Sequence, residues 1–154
     1  LITLKIADKD DYSTVLEFSL KFLKESPYRD LPYDIAKIDS FIRLFLEGDK
    51  NERICILALS KDTPIGIIAG HLSQALFSSE LVAAEVMWWI APEFRGRSKA
   101  ALELLGAFEH WASMEGSSFI QMQSLGALNG SKVGSLLERF GYEPKEVSYL
   151  KEIV

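Results

Sequence analysis

Apolar and polar positions alternate in "ITLKIA" (2–7), the period of a half-buried strand. The period then lengthens. In "DKDDYSTVLEFSLKFLKES" (8–26) an Asp cluster suits a helix start, and Val15, Leu16, Leu20 and Leu23 form an apolar stripe. "PYRDLPY" (27–33) carries two prolines and reads as a loop. A second helix is expected in "DIAKIDSFIRLFLEG" (34–48), with Asp34 as cap, Ile35, Ile38, Ile42 and Phe45 on one face, and Gly48 as stop. "RICILALS" (53–60) and "PIGIIAGHLS" (64–73) are β-branched runs joined by "KDT", a hairpin signal. "LVAAEVMWWIA" (81–91) is mostly apolar on both faces, as a central buried strand is. Then come a helix, "SKAALELLGAFEHWASMEG" (98–116), a strand, "SFIQMQSL" (118–125), a short helix closed by Gly141, "GSKVGSLLERFG" (130–141), and a last strand, "EVSYLKEIV" (146–154).

The predicted order is β-α-α-β-β-β-α-β-α-β, a mixed α/β (α+β) class with a strand meander in the middle. No repeat, low-complexity tract or linker interrupts it, so a single domain over 1–154 is expected.

Composition narrows the class. Of the 154 residues, 48% are apolar and 25% charged, a globular balance that can bury a core without disulfides. The lone Cys55 lies in an apolar run and reads as a small buried hydrophobe. His71 and His110 stand apart, with no ligand spacing around them, so no metal is expected. No apolar run reaches membrane-spanning length and no signal-peptide pattern is present, so a cytoplasmic protein without a membrane partner is expected. A net charge of −5 argues against a nucleic-acid partner.

One segment breaks the pattern of a plain helix start. "APEFRGRSKAALELL" (91–105) places Arg95, Arg97 and Lys99 around Gly96 at the first turn of a helix. A helix N-terminus already carries partial positive charge and unpaired N–H groups. Added cations oppose the helix unless an anion sits there. A strand, a Gly-containing turn and a helix start are the parts of a phosphate cradle. The string is neither a Walker loop nor G-x-G-x-x-G.

The segment resembles the acyl-CoA site of the GCN5-related N-acetyltransferases (GNAT). Their signature is Gln or Arg, two residues, Gly, one residue, then Gly or Ala, often within "V-x-P-E-Y-R-G-K-G". Here Ile90, Pro92, Glu93, Phe94, Arg95, Gly96 and Ala100 occupy matching places. The element order and the ending "LLERFGYEP" also follow the family, and "ESPYRDLPYD" resembles a loop of its phage-encoded members. The resemblance implies a GNAT fold, a central mixed, mostly antiparallel sheet flanked by about four helices. It implies acetyl-CoA as acyl donor, no metal, and a small-molecule or peptide amine as acceptor.

By that resemblance the amides of Arg95 to Ala100 hold the CoA pyrophosphate, with Arg97, Ser98 and Lys99 in the same run. The side chains of Arg95, Arg97 and Lys99 add charge there or toward the 3′-phosphate. The "MWWI" strand parts from "FIQMQSL" and bonds the pantetheine arm, with Trp88 and Ile90 in contact and a nearby N–H holding the developing oxyanion. Glu85 is the general base, or else a structural carboxylate paired with a cation. Tyr28, Arg29 and Tyr33 contact the acceptor, or simply pack the loop. Asn129 touches the CoA arm, or caps the last helix.

Two positions depart from the family. Ser98 replaces the second signature Gly, where a Cβ crowds the phosphate. Leu137 aligns with the Tyr that protonates the leaving thiolate. They motivate an alternative: a CoA-binding or structural protein of the same fold with weak or no turnover. A nucleic-acid module using the basic turn is the third reading. The monomer and the homodimer are equally compatible with the sequence.

Overall fold

The structure is a computed structural model that describes residues 1–125 and 132–154. The chain divides into two compact units, Leu1–Gln123 and Ser124–Val154. The first unit contains β1 (Ile2–Ile6), α1 (Tyr12–Glu25), α2 (Ile35–Glu47), β2 (Arg53–Ser60), β3 (Thr63–Gln74), β4 (Leu81–Ile90), α3 (Ala100–Met114) and β5 (Phe119–Gln121). Its five strands lie in sequence order; β1 to β4 form an antiparallel meander and β5 pairs parallel to β4. This is the mixed, mostly antiparallel sheet expected.

Local chemistry explains the boundaries. The side chain of Asp34 accepts the N–H of Lys37 at 3.1 Å and opens α2. Lys61 and Asp62 both take positive φ, the geometry of a tight two-residue hairpin, between β2 and β3. Lys50 closes the other end of α2: its ammonium donates to the carbonyls of Phe45, Leu46 and Ala7 at 3.0, 3.0 and 3.2 Å. Ile35, expected on the apolar face of α2, is exposed; the helix instead buries Ile42, Phe45 and Leu46.

Each face of the sheet carries its own core. On one face, Val15 and Phe18 of α1 and Ile42, Phe45 and Leu46 of α2 cover Leu57, Ile67 and Trp89. On the other, Leu104, Phe108 and Trp111 of α3 cover Ile56, Ile68 and Ile90. Two glycines on β3 leave room on this face for Phe108 of α3 and for Ile90 of β4. A Cβ at Gly70 would lie 2.4 Å from the ring of Phe108, and one at Gly66 would lie 2.6 Å from Ile90. Cys55 is wholly buried, and burial pushes its thiol up to about 12, so it serves as packing.

The pairing of β3 with β4 slips by one residue. Ala69 opposes Met87 while Gly70 opposes Glu85, which leaves Val86 as an extra residue, a β-bulge. Beyond the bulge Met87 and Trp89 face α1 and α2, and Ile90 and Trp88 face α3.

The second unit contains α4 (Lys132–Arg139). Gly141 has φ +89 and ends it, as the sequence indicated. The expected last strand is not formed: 142–154 carries no helix or strand, and Tyr149 and Ile153 are almost fully exposed. Alternation marks a segment able to join a sheet, but only a ladder of hydrogen bonds makes it a strand, and this segment forms none with the described residues.

Candidate functional site

The site begins where β4 and β5 part. Their pairing runs from Val82–Phe119 to Ala84–Gln121 and stops. "SFIQMQSL" therefore yields only a three-residue strand. From Glu85 to Ile90, β4 has no strand on that side among the described residues. Which backbone groups face the open edge follows from register. Ala91 donates its N–H to Ile65 O at 2.8 Å, toward β3. In an antiparallel ladder the backbone groups of successive residues alternate in direction. Trp89 therefore also points to β3, and Trp88 and Ile90 present theirs to the open edge.

Past β4 the chain turns through Pro92–Phe94 and enters α3. Gly96 sits at φ +70, a conformation that a Cβ opposes, which is why the turn needs glycine. No side chain caps α3 at Lys99. The amides of Gly96, Ser98, Lys99, Ala101 and Leu102 make no hydrogen bond to other described residues, whereas Arg97 donates to Phe94 O and Glu103 to Lys99 O. Ser98 turns its hydroxyl inward: it donates to Phe94 O at 3.1 Å and accepts the N–H of Ala100 at 3.3 Å. Within the run, Ala100 alone has its amide met by a side chain.

The three cations separate. Arg95 swings toward α1, with Nε donating to Ile90 O and its terminal nitrogen donating to Glu25, both at 2.7 Å. Glu25 also accepts the indole N–H of Trp89 at 3.1 Å. Arg97 and Lys99 have no ion pair with the described residues. A helix start with free amides and two unpaired cations suits a polyanion.

Glu85 lies at the fork itself. It is 4% exposed. Its cross-strand partner is Gly70, over which Phe108 lies, so its side chain shares the α3 face. Burial pushes its carboxyl up to about 7, and the N–H of Gln123, which reaches Oε1 at 3.4 Å, opposes that rise. A carboxyl balanced near neutrality can take a proton at physiological pH. Among the described residues no cation pairs with it.

Tyr28, Arg29 and Tyr33 fall in the turn between α1 and α2. Tyr28 and Tyr33 are partly exposed, and Arg29 bonds back to Ser26 O. Glu25, three residues before Tyr28, ties this turn to the end of β4. Asn129 lies outside the described residues. Sequence reasoning missed Glu25, since nothing near it in the chain announces a partner so distant. Among the described residues no group of His, Cys, Asp or Glu could hold a metal ion, and no helix is long and apolar enough to cross a membrane.

No protein-family model matches the sequence, and no curated protein does. Solved structures do match in fold. A transcriptional regulator from Bacillus halodurans C-125 aligns with TM-score 0.75 at 14% identity, over 99% of this chain and 100% of its own. AAC(6')-Iy, in complex with the bisubstrate analogue CoA-S-monomethyl-acetylneamine, aligns with TM-score 0.75 at 16% identity, over 100% of this chain and 99% of its own. A GNAT family acetyltransferase from Staphylococcus aureus aligns with TM-score 0.69 at 16% identity, over 99% and 98%. The chain has the GNAT acetyltransferase fold.

Proposed function

We propose that this chain, acting as a single domain, is an N-acetyltransferase that moves an acetyl group from acetyl-CoA to a primary amine. The observation that carries the reading is the junction of two vacancies in the hydrogen-bond network. The open edge of β4 at Trp88 and Ile90 leads directly into the unpaired amides that begin α3. AAC(6')-Iy, of the same fold, is seen with CoA joined to acetylneamine, which supports an acyl donor of this kind and a small-molecule amine acceptor.

In this reading the amides of Gly96, Ser98, Lys99, Ala101 and Leu102, with Arg97 and Lys99, hold the pyrophosphate and neighbouring phosphate. The free N–H and C=O of Trp88 and the free N–H of Ile90 align the pantetheine arm, Ile90 O being held by Arg95, and an outward amide polarises the acyl oxygen. Bound there, acetyl-CoA supplies an activated acyl carbon. Glu85 receives the proton that the amine must lose, directly or through water. Tyr28, Arg29 and Tyr33 border the acceptor. Ser98 adds a Cβ where the family has Gly, but its hydroxyl is turned inward to Phe94 O.

Thermal unfolding with and without acetyl-CoA tests binding: at about 100 times its Kd the ligand adds roughly 2.7 kcal/mol. Thiol release with a panel of polyamines, amino acids and peptides then tests turnover. Glu85→Gln is expected to lower turnover about 10²-fold or more while acetyl-CoA still stabilises the fold. No shift at millimolar acetyl-CoA removes the proposal. Stabilisation without turnover on any amine selects the second reading, a CoA-binding protein, which Leu137 at the thiolate-protonating position favours.

A further inference from the structure

The outer edge of the sheet is β1, and it is built unlike a protected edge. Edge strands are ordinarily blunted by proline, bulges or charges that deter pairing with another chain. β1 has neither proline nor bulge, and it pairs with β2 in unbroken register from Ile2–Ser60 to Ile6–Ile56. Its one charge, Lys5, is held by Asp11 at 2.9 Å. Leu4 and Ile6 are 39% and 56% exposed. They line an apolar groove of about 280 Å³ with Ile54, Ile56, Trp111 and Met114, where α3 stops short of the edge.

Register again gives the direction of the backbone. Ala7 donates its N–H to Cys55 O, toward β2. Lys5 and Thr3 share that direction, so Ile2, Leu4 and Ile6 present their N–H and C=O groups to the free edge. The residues that offer unpaired backbone are those whose side chains are apolar and exposed, or half-buried in the case of Ile2.

We propose that β1 is the interface of a homodimer in which a second copy of this chain adds its own β1 antiparallel, about a two-fold axis at Leu4. The sequence is self-complementary in that register. Leu4 meets Leu4 of the second copy, and Ile2 meets Ile6 on either side of it. Each of these pairs exchanges two backbone hydrogen bonds, about six in all. Thr3 faces Lys5, so no two like charges oppose each other across the junction, where they would be destabilising. The two β2 strands then stand about 14 Å apart, and Leu4, Ile6 and Met114 of both copies fill the merged groove between the α3 helices. A C2 contact of this kind closes on itself and leaves no β1 edge for further growth. The inference does not depend on the acetyl-transfer reading.

Sedimentation of the chain at micromolar to 0.1 mM concentration should show a dimer. Leu4→Arg should raise its dissociation constant at least tenfold with an unchanged circular dichroism spectrum. Leu4→Cys should cross-link the dimer on mild oxidation, because directly opposed Cα atoms stand about 5.5 Å apart, within disulfide reach. Thr3→Cys should not, since its two copies stand about 8 Å apart in this register. A monomer throughout, or a dimer in which Thr3→Cys links as well as Leu4→Cys does, overturns the proposal. Should Leu4→Arg fail to fold, the pair of cysteine variants decides the matter alone.

Discussion

The guanidinium of Arg95 donates to the carboxylate of Glu25 at 2.7 Å, across 70 positions of chain. The contact fastens the end of α1 to the turn before α3, and Trp89 reaches the same carboxylate oxygen. Arg95 stands in the signature run, yet its charge is engaged by the protein.

That arrangement separates the three cations in experiment. Arg95→Met should lower stability by about 1 kcal/mol, since both partners are nearly half exposed and such pairs are weak. It should leave acetyl-CoA affinity within about threefold. Arg97→Met and Lys99→Met should instead weaken acetyl-CoA, by roughly 1–2 kcal/mol each, with little change in stability. Calorimetric titration beside thermal unfolding reads both. An Arg95 variant that loses the ligand as severely as the other two would contradict the assignment.

Glu85 predicts a pH dependence of stability. The folded protein holds its carboxyl at about 7, above the ordinary 4.5. A raised pKa means that the folded state binds the proton more tightly. Its favourable contribution is complete below about pH 4.5 and is lost as pH rises through about 7. The amount is on the order of 3 kcal/mol. Glu85→Gln should abolish this part of the profile, while groups such as Asp11, which burial opposes but hydrogen bonds and Lys5 hold low, remain in both proteins. Urea unfolding between pH 4.5 and 8 measures the difference; identical profiles would remove the buried carboxyl from the account.

Gly70 and Gly106 should respond oppositely to the same change. A Cβ at Gly70 meets the Phe108 ring at 2.4 Å and Ala84 O at 2.7 Å. Gly70→Ala should cost about 1–3 kcal/mol and disturb the strand next to Glu85. Gly106 lies within α3 with nothing near its Cβ position. Gly106→Ala should add about 0.5–1 kcal/mol. Melting temperatures moving in the same direction would contradict this packing of α3.

Lys50 should be worth more than its single charge. Lys50→Met removes the donor to three carbonyls at the end of α2 and after β1. The expected loss is about 1–3 kcal/mol, the range for part-buried acceptors left without a partner. Denaturant midpoints at matched slope would show it, and a loss below a few tenths would mean that water replaces the ammonium freely.

Much of this fold was legible because local signals agreed. "RICILALS" became β2 with the same bounds, Asp34 capped α2, and Gly141 ended α4. The signature run could be located for a similar reason: cations around a glycine at a helix start conflict with local preference and so stand out. Other features had no local trace. In "AAEVMWWI" apolar residues occupy both faces, so no alternation reveals that Val86 is an extra residue. The side of the sheet that Glu85 faces was therefore unreadable. β5 ends where the amide of Gln123 turns to the Glu85 side chain, a contact between residues 38 apart. The terminal segment alternates like a strand, but alternation records fitness for a sheet and not the presence of a neighbour.

The bulge makes β4 a strand in which counting matters as much as chemistry. Substituting Val86 alters one side chain. A β4 that alternated regularly through Val86, with no bulge, would keep every residue and yet reverse the phase between the half of the strand that pairs with β5 and the half that does not. Glu85 would then share a side with Trp89 in place of Trp88, and the acid would open beneath α1. A change of register at this one position is therefore a lesion of a different order from any point change nearby.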